Sequence, residues 1–381
     1  MVNVPIPSIP DEVLRHARKT GPLESHWIWI TCIALALALM VVAIRVRPRR
    51  RAVIAAMCCA LLAAVTGINS YAGYVRTLPD LARLLQRGGP PLRALGLALG
   101  GPEDTPAAPR PLPTGPTAPI IERLDIADPA NAVPSGRTYV LLPPGYTDPA
   151  NANRRYPVVY LVHGYPYGSP EDWLAAGDAP GTLQLLYQYH ALAPMIMVNV
   201  DLTAGQSSRD WEGLDVPSGP RLETYLSQTV VTTIDHRFRT LADRRHRALG
   251  GMSGGAFAAL NIGLHHLDEF TALLLTLPYD ALGDGDRLLG GNPALLAANT
   301  PRDYLRTMTF PHHVAVLLTA GTGARTDIAT ATRIADALHD RGQAATVHIE
   351  QGFNHTWHTA RATLPHLLVF ADQVFAHGAG P

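Results

Sequence analysis

Cysteine is nearly absent from this chain. Its 381 residues include three, Cys32, Cys58 and Cys59, all within the first sixty. The rest of the chain therefore has neither a disulfide framework nor a thiolate metal site. Lysine is scarcer still: Lys19 is the only one, and every other cationic side chain of the fixed-charge kind is arginine. An excess of either charge is missing too, with Lys+Arg 31 against Asp+Glu 31. No broad basic field exists to hold nucleic acid. Polar low-complexity tracts are also lacking, and hydrophobic residues make up 47% against 16% charged. A mostly disordered chain is excluded, and a sizeable core is available. The length suits one large domain with appendages.

Long apolar runs, by contrast, are present at the N-terminal end. Trp27 to Ile44 is uncharged and strongly apolar. At about 1.5 Å per residue such a run reaches roughly 27 Å, close to the ~30 Å hydrocarbon core of a bilayer. Trp27 and Trp29 at its start suit the membrane interface. A second run, Ala52 to Ile68, follows after a short loop containing Arg45, Arg47, Pro48, Arg49, Arg50 and Arg51. So many arginines in so short a loop predict a cytoplasmic loop, with both flanking segments on the outer side of the cell membrane. Arg15, Arg18 and Lys19 pull the other way but lie further from the apolar run. Some 25 residues precede the first run and no small-residue cleavage site follows it, so two transmembrane helices are expected rather than a signal peptide. A pair of buried core helices would not account for the arginines.

Residues 76 to 99 read as a short amphipathic segment, with Leu78, Leu81, Leu84 and Leu85 at helical spacing and a Gly-Gly-Pro-Pro break at 88–91. Seven prolines between residues 100 and 119 mark a semi-rigid linker. The expected organisation is thus an N-terminal segment (1–25), two transmembrane helices with the arginine loop (26–75), a juxtamembrane segment and linker (76–119), and a catalytic domain (120–381). In that last part, β-rich runs alternate with helical patterns. The strands are expected at 138–142, 158–162, 195–200, 248–250, 271–277, 314–319 and 345–350, and the helices at 182–190, 222–238, 255–267, 325–341 and 355–375. The unbroken run Val158-Val159-Tyr160-Leu161-Val162 fits a parallel strand buried on both faces. The pattern predicts an α/β fold with a doubly wound, mostly parallel sheet and a site beyond the carboxyl ends of its strands.

One strand end reads Gly251-Met252-Ser253-Gly254-Gly255. This is a G-x-S-x-G pattern between a strand and a helix, where a sharp turn exposes the serine Oγ and small neighbours let the two backbones pass. A Gly-rich strand–helix turn is the plain alternative. If Ser253 is a nucleophile, an acid and then a histidine should follow in chain order. Asp327 is the first carboxylate after the strand at 312–319; it also sits where a helix N-cap would. Asp280, after the preceding strand, is its rival. His355 follows the final strand and is the expected base, with His358 as the alternative. Two backbone N–H groups are needed for an oxyanion: Gly254, after the serine, and Tyr165, after the early strand that ends in His163-Gly164. Asp201, Trp173, Trp211 and Tyr279 are candidates to line the site, with loop packing the preferred role for each.

Together these motifs resemble a known family. Leu141-Leu142-Pro143-Pro144-Gly145-Tyr146 and Arg155-Tyr156-Pro157 through His163-Gly164 resemble the opening of the putative-esterase family of α/β-hydrolases. That family includes S-formylglutathione hydrolases of the esterase D type, feruloyl and enterochelin esterases, and mycolyltransferases. Glu223-Thr224-Tyr225 and Ile234-Asp235-His236-Arg237-Phe238-Arg239-Thr240 resemble the helix before the elbow strand, and His355-Thr356-Trp357 resembles the histidine segment, which favours His355. The hairpin is similar to that of membrane-tethered actinobacterial esterases. The resemblance, over about residues 135 to 375, implies an α/β-hydrolase fold and a serine esterase that acts on carboxylic esters through an acyl-enzyme. It implies no metal or organic cofactor. An acyltransferase of the mycolyltransferase type, acting on cell-envelope lipids or glycans, is the alternative. Mycolyltransferases usually carry a glutamate in place of the acid offered here by Asp327. A binding module without turnover is the third reading.

Overall fold

The computed structural model describes residues 4–45, 49–86, 95, 98 and 114–378. Arg47 and Pro48 of the arginine loop, the Gly-Gly-Pro-Pro break and most of the proline linker lie outside the described residues. The chain divides into two compact units. One comprises Met1–Ala17, Leu112–His355 and Thr359–Pro381; the other comprises Arg18–Pro111 and Thr356–His358.

Among the described residues, the first unit is built on eight strands. They are β1 (Ile120–Asp125), β2 (Arg137–Leu142), β3 (Val158–Val162), β4 (Ile196–Val200), β5 (Arg247–Met252), β6 (Ala272–Thr276), β7 (Ala315–Gly321) and β8 (Ala344–Glu350). They form one sheet in the order β1-β2-β4-β3-β5-β6-β7-β8. The pairs β1–β2 and β2–β4 are antiparallel, and all the others are parallel. Every residue of β3, β4, β5 and β6 is buried. That is the expected state of a sheet covered on both faces, and each Val or Leu so withdrawn contributes on the order of 1.5–3 kcal/mol.

The principal helices are α1 (Asp11–Arg18), α2 (His26–Arg45), α3 (Arg49–Ala72), α4 (Leu78–Gln86), α5 (Ala179–Gln188), α6 (Val231–Arg237), α7 (Gly254–His265), α8 (Arg325–Asp340) and α9 (Trp357–His377). From β3 the chain crosses to β4 on one side and then to β5 on the other. The direction of winding therefore reverses between β3 and β5, and the crevice at their carboxyl ends is where a doubly wound sheet places its site.

The structure differs from the sequence pattern in three elements. Strand β1 was not foreseen: Ile-Ile-Glu-Arg-Leu-Asp has no clean alternation, and as an edge strand it pairs only with β2. The helix expected over 222–238 is a short turn at Leu222–Thr224, a π-helical stretch at Tyr225–Val230 and then α6. This stretch carries Tyr225, whose hydroxyl donates to the Ile126 carbonyl at 2.9 Å. The expected helix at 355–375 begins later, at Trp357, which leaves His355 in the preceding loop.

In the second unit, α2 and α3 are packed against each other and span 20 and 24 residues. Both are long and apolar enough to cross a membrane, and most of their apolar length is exposed. The Asn69 side chain ties the chain just before α2 to the chain just after α3. Its Nδ2 donates to the Leu23 and Val75 carbonyls (3.0 and 2.8 Å) and its Oδ1 accepts from the Val75 N–H at 2.8 Å. In α4 the buried positions are Asp80, Ala82 and Arg83, with an Asp80–Arg83 ion pair at 3.3 Å, while Leu78 and Leu84 are exposed. The leucines of this helix therefore do not form its buried face.

Candidate active site

Strand β5 runs straight into Ser253, which sits at φ 56° and ψ −117° immediately before α7. For a residue with a Cβ this is a strained backbone, of the kind that persists only where its surroundings over-determine it. The surroundings do so here. A Cβ on Gly251 would lie 2.4 Å from the Gly255 carbonyl group, and one on Gly255 would lie 2.3 Å from the His163 oxygen and 2.5 Å from the Val162 oxygen. The end of β3, the end of β5 and the start of α7 thus pass at backbone contact distance. Glycine is the residue that permits it. The Ser253 N–H is held by the Thr276 carbonyl of β6 at 2.9 Å.

Two loops bring the other groups to the serine. After β7, residues 322–324 lead into α8, and after β8, residues 351–356 lead into α9. The loops are laced together by three hydrogen bonds of 2.8 Å: Thr322 N–H to the Glu350 carbonyl, Gly323 N–H to the Phe353 carbonyl, and Gly352 N–H to Thr322 Oγ1. His355 lies between the two remaining groups. Its Nε2 is 2.8 Å from Ser253 Oγ and its Nδ1 is 2.9 Å from Asp327 Oδ1. Asp327 is in the first turn of α8, but its carboxylate points to the imidazole instead of capping the helix. The contact fixes the tautomer: Nδ1–H donates to the carboxylate, which leaves the Nε2 lone pair facing the serine hydroxyl.

The two rivals are placed elsewhere. Asp280 is buried and bound by Arg302 Nη2 at 2.7 Å and by Arg333 Nε at 2.7 Å. Burial pushes its carboxyl up, but the two guanidiniums outweigh burial and hold it below the usual carboxylate range. It is committed to this ion-pair cluster. His358 lies in the first turn of α9, within the second unit, with its Nε2 3.2 Å from the Ser70 carbonyl.

Gly254 opens α7, where the first N–H groups of a helix have no intrahelical acceptor. Tyr165 lies beside it: a Cβ on Gly254 would be 3.4 Å from Tyr165 Cβ. Among the described residues the Tyr165 N–H has no hydrogen-bond acceptor. Just before it, His163 is anchored through both nitrogens, Nδ1 to the Gly164 carbonyl (2.9 Å) and Nε2 to the Leu202 N–H (3.2 Å), which holds this loop on the end of β4.

Of the four other candidates, Trp173 and Trp211 are buried packing residues whose indole N–H groups donate to Val162 and Thr203 carbonyls at 2.9 and 3.0 Å. Asp201 accepts from the Thr203 N–H at 2.8 Å and holds that turn. Tyr279 stacks on Phe257, and its hydroxyl would meet a Cβ on Gly254 at 3.4 Å. It therefore borders the crevice.

Two carboxyls beside the crevice were missed. A small cavity of about 30 Å³ is lined by Tyr165, Asp210, Glu212 and Gly254 among others. Burial raises Asp210, and it pushes Glu212 up to about 7, aided by the neighbouring charge of Asp210 and opposed by hydrogen bonds from the Gly283 and Asp284 N–H groups. Both lie in the long segment between β4 and the helical turn at 222, where no period in the sequence points inward.

The arrangement can be set beside known proteins. The chain is 31% identical over 173 residues to an uncharacterized protein of Corynebacterium glutamicum, a match covering 44% of this chain and 39% of that protein. The chain thus spans well under half the length of that curated relative. Among solved structures, a ferulic acid esterase is similar with TM-score 0.58 and 20% identity, over 68% of this chain and 99% of that one. An S-formylglutathione hydrolase from Agrobacterium tumefaciens gives 0.54 and 15%, over 69% and 98%. A fluorophosphonate-binding serine hydrolase from Staphylococcus aureus gives 0.53 and 11%, over 67% and 98%. At these identities the likeness is one of fold, the α/β-hydrolase fold. The Esterase family model, described as "Putative esterase", matches residues 135–368, more than half of the chain. The chain belongs to this putative-esterase family.

Proposed function

We propose that the protein is a membrane-anchored serine esterase that hydrolyses carboxylic esters through an acyl-enzyme. The observation that carries this reading is the single imidazole of His355, within 2.9 Å of both Ser253 Oγ and Asp327 Oδ1, on a serine held at φ 56°. In the first step Ser253 Oγ attacks the ester carbonyl carbon while His355 Nε2 takes the hydroxyl proton. Asp327 keeps Nδ1–H oriented and stabilises the imidazolium. The tetrahedral oxyanion rests against the N–H groups of Gly254 and Tyr165, at the positive end of α7. Collapse breaks the bond to the alcohol oxygen, which leaves with the proton from His355. Water then attacks the acyl-enzyme, with His355 again as base, and releases the acid and free Ser253.

The anchoring reading is supported by α2 and α3, at 20 and 24 residues long enough to cross the ~30 Å hydrocarbon core. The exposed Leu78 and Leu84 of α4 suit a helix lying at the membrane surface. The test of the chemistry is labelling of the detergent-solubilised chain with a fluorophosphonate probe, together with turnover of a chromogenic short-chain ester. Wild type should label and turn over. Ser253→Ala should not label, with a fall in kcat of about 10⁴-fold or more. A folded wild-type chain that does not label, or a Ser253→Ala variant with full turnover, removes this mechanism.

A further inference from the structure

Away from the serine, His348 and Glu350 of β8 and His366 of α9 form a group of three metal-ligating side chains. His348 and Glu350 are two residues apart on a strand, so they point to the same face. That face meets α9, which supplies His366. His348 Nε2 is 3.3 Å from Glu350 Oε2, and the His348 and His366 rings stack at 3.9 Å between centroids with 27° between planes. Glu350 is 2% exposed and His366 7%.

We infer that these three residues bind a divalent transition-metal ion, zinc by preference, which staples the edge strand β8 to α9. The donor set decides the class of ion. Two neutral imidazoles and one carboxylate are borderline donors that suit zinc and its neighbours, whereas calcium and magnesium take all-oxygen cages. The electrostatics favour a metal as well. A buried carboxylate with two adjoining imidazoles gathers lone pairs in a low dielectric. The donor atoms lie within 4.8 Å of one another. Tetrahedral zinc draws such ligands to roughly 3.4 Å apart, a closure of at most about 1.4 Å. His348, whose side chain is 24% exposed, gives the ion its way in from solvent.

The place in the fold gives the ion a task. His348 and Glu350 precede the loop at 351–356 and His366 follows it, so the ion closes the loop that carries His355 from both ends. The Glu350 carbonyl is also the acceptor for the Thr322 N–H of the loop leading to Asp327. The ion is structural: it touches neither ester nor nucleophile, and the inference stands whether or not Ser253 is the nucleophile.

The test uses the full chain in detergent, without a polyhistidine tag, stripped with a chelator and dialysed. Titration with zinc chloride by calorimetry should show one equivalent bound, with a thermal midpoint several degrees higher in the loaded protein. Cobalt chloride should give the intense visible absorption of a four-coordinate site, a readout that needs no variant. His348→Ala, chosen because that side chain reaches solvent, should melt like the metal-free wild type and bind zinc at least 10-fold more weakly, and Glu350→Gln likewise. A wild-type chain with no saturable zinc binding up to 100-fold molar excess and no cobalt band overturns the inference. Unchanged affinity in His348→Ala overturns it equally.

Discussion

Glu212 shows how much a single buried carboxyl can contribute to the pH response of this protein. Its Oε1 accepts from two successive N–H groups, Gly283 and Asp284, which favours the carboxylate. Burial works against that and wins, and the charge of Asp210 two residues away adds to it, so the group titrates at about 7 in the folded chain. The unfolded value is near 4.5. Below that value both states hold the proton and the group is neutral to stability. As pH rises from about 4.5 to 7 the unfolded chain releases its proton first, so the folded state loses stability across that window and no further loss follows above it. Glu212→Gln keeps the oxygen acceptor and removes the charge. It should be near neutral at pH 4 and more stable than wild type by about 1–3 kcal/mol at pH 8. Thermal melts of both proteins from pH 4 to 8 check this. A midpoint difference that does not change with pH would show that Glu212 is not desolvated as described.

At the scale of elements, the turn between β5 and α7 is the point where sequence pattern and packing coincide. Gly255 is there because the Val162 and His163 carbonyls stand 2.5 and 2.3 Å from where its Cβ would be. Both are main-chain atoms, so Gly255→Ala cannot be absorbed by a side-chain rotation. Either α7 or the end of β3 must shift, at a cost of about 2–3 kcal/mol or more. Because the same end of β3 leads to Tyr165, activity should fall by more than stability alone accounts for, with kcat reduced at least 10-fold in protein that is still folded at the assay temperature. Wild-type melting and wild-type kcat in Gly255→Ala would refute this account of the elbow. It is also why this part was legible beforehand. Small residues at fixed offsets around Ser253, and an acid and a histidine on later strand ends, are local signals that survive in one dimension. Strand β1 left no such signal, because an edge strand with one partner needs little hydrophobic alternation. The π-helical stretch around Tyr225 was hidden for a related reason: its period is close to that of an α-helix, and the contact with Ile126 that goes with it is 99 residues away. Asp210 and Glu212 were invisible because only the folded crevice makes them buried.

For the molecule as a whole, charge distribution matters more than net charge, which is zero. Five arginines, Arg45, Arg47, Arg49, Arg50 and Arg51, cluster where one apolar helix ends and the next begins, and the surface of those helices is apolar along most of its length. A soluble protein rarely exposes so much contiguous apolar surface. The lipid bilayer is the environment in which that exposure costs nothing, and arginines at the facing ends of two spans are expensive to translocate, so the proposed anchor predicts that this end stays on the cytoplasmic side. Two measurements separate anchoring from orientation. If the helices span the membrane, the chain should stay in the membrane fraction after an alkaline carbonate wash, and deletion of residues 1–80 should release it. If the loop is cytoplasmic, an alkaline phosphatase reporter fused after residue 80 should be active and a fluorescent protein that folds only in the cytoplasm should stay dark. A chain that washes off with carbonate would end the anchoring proposal. A dark phosphatase and a bright cytoplasmic reporter would keep the anchor and reverse its direction, placing the ester substrate inside the cell.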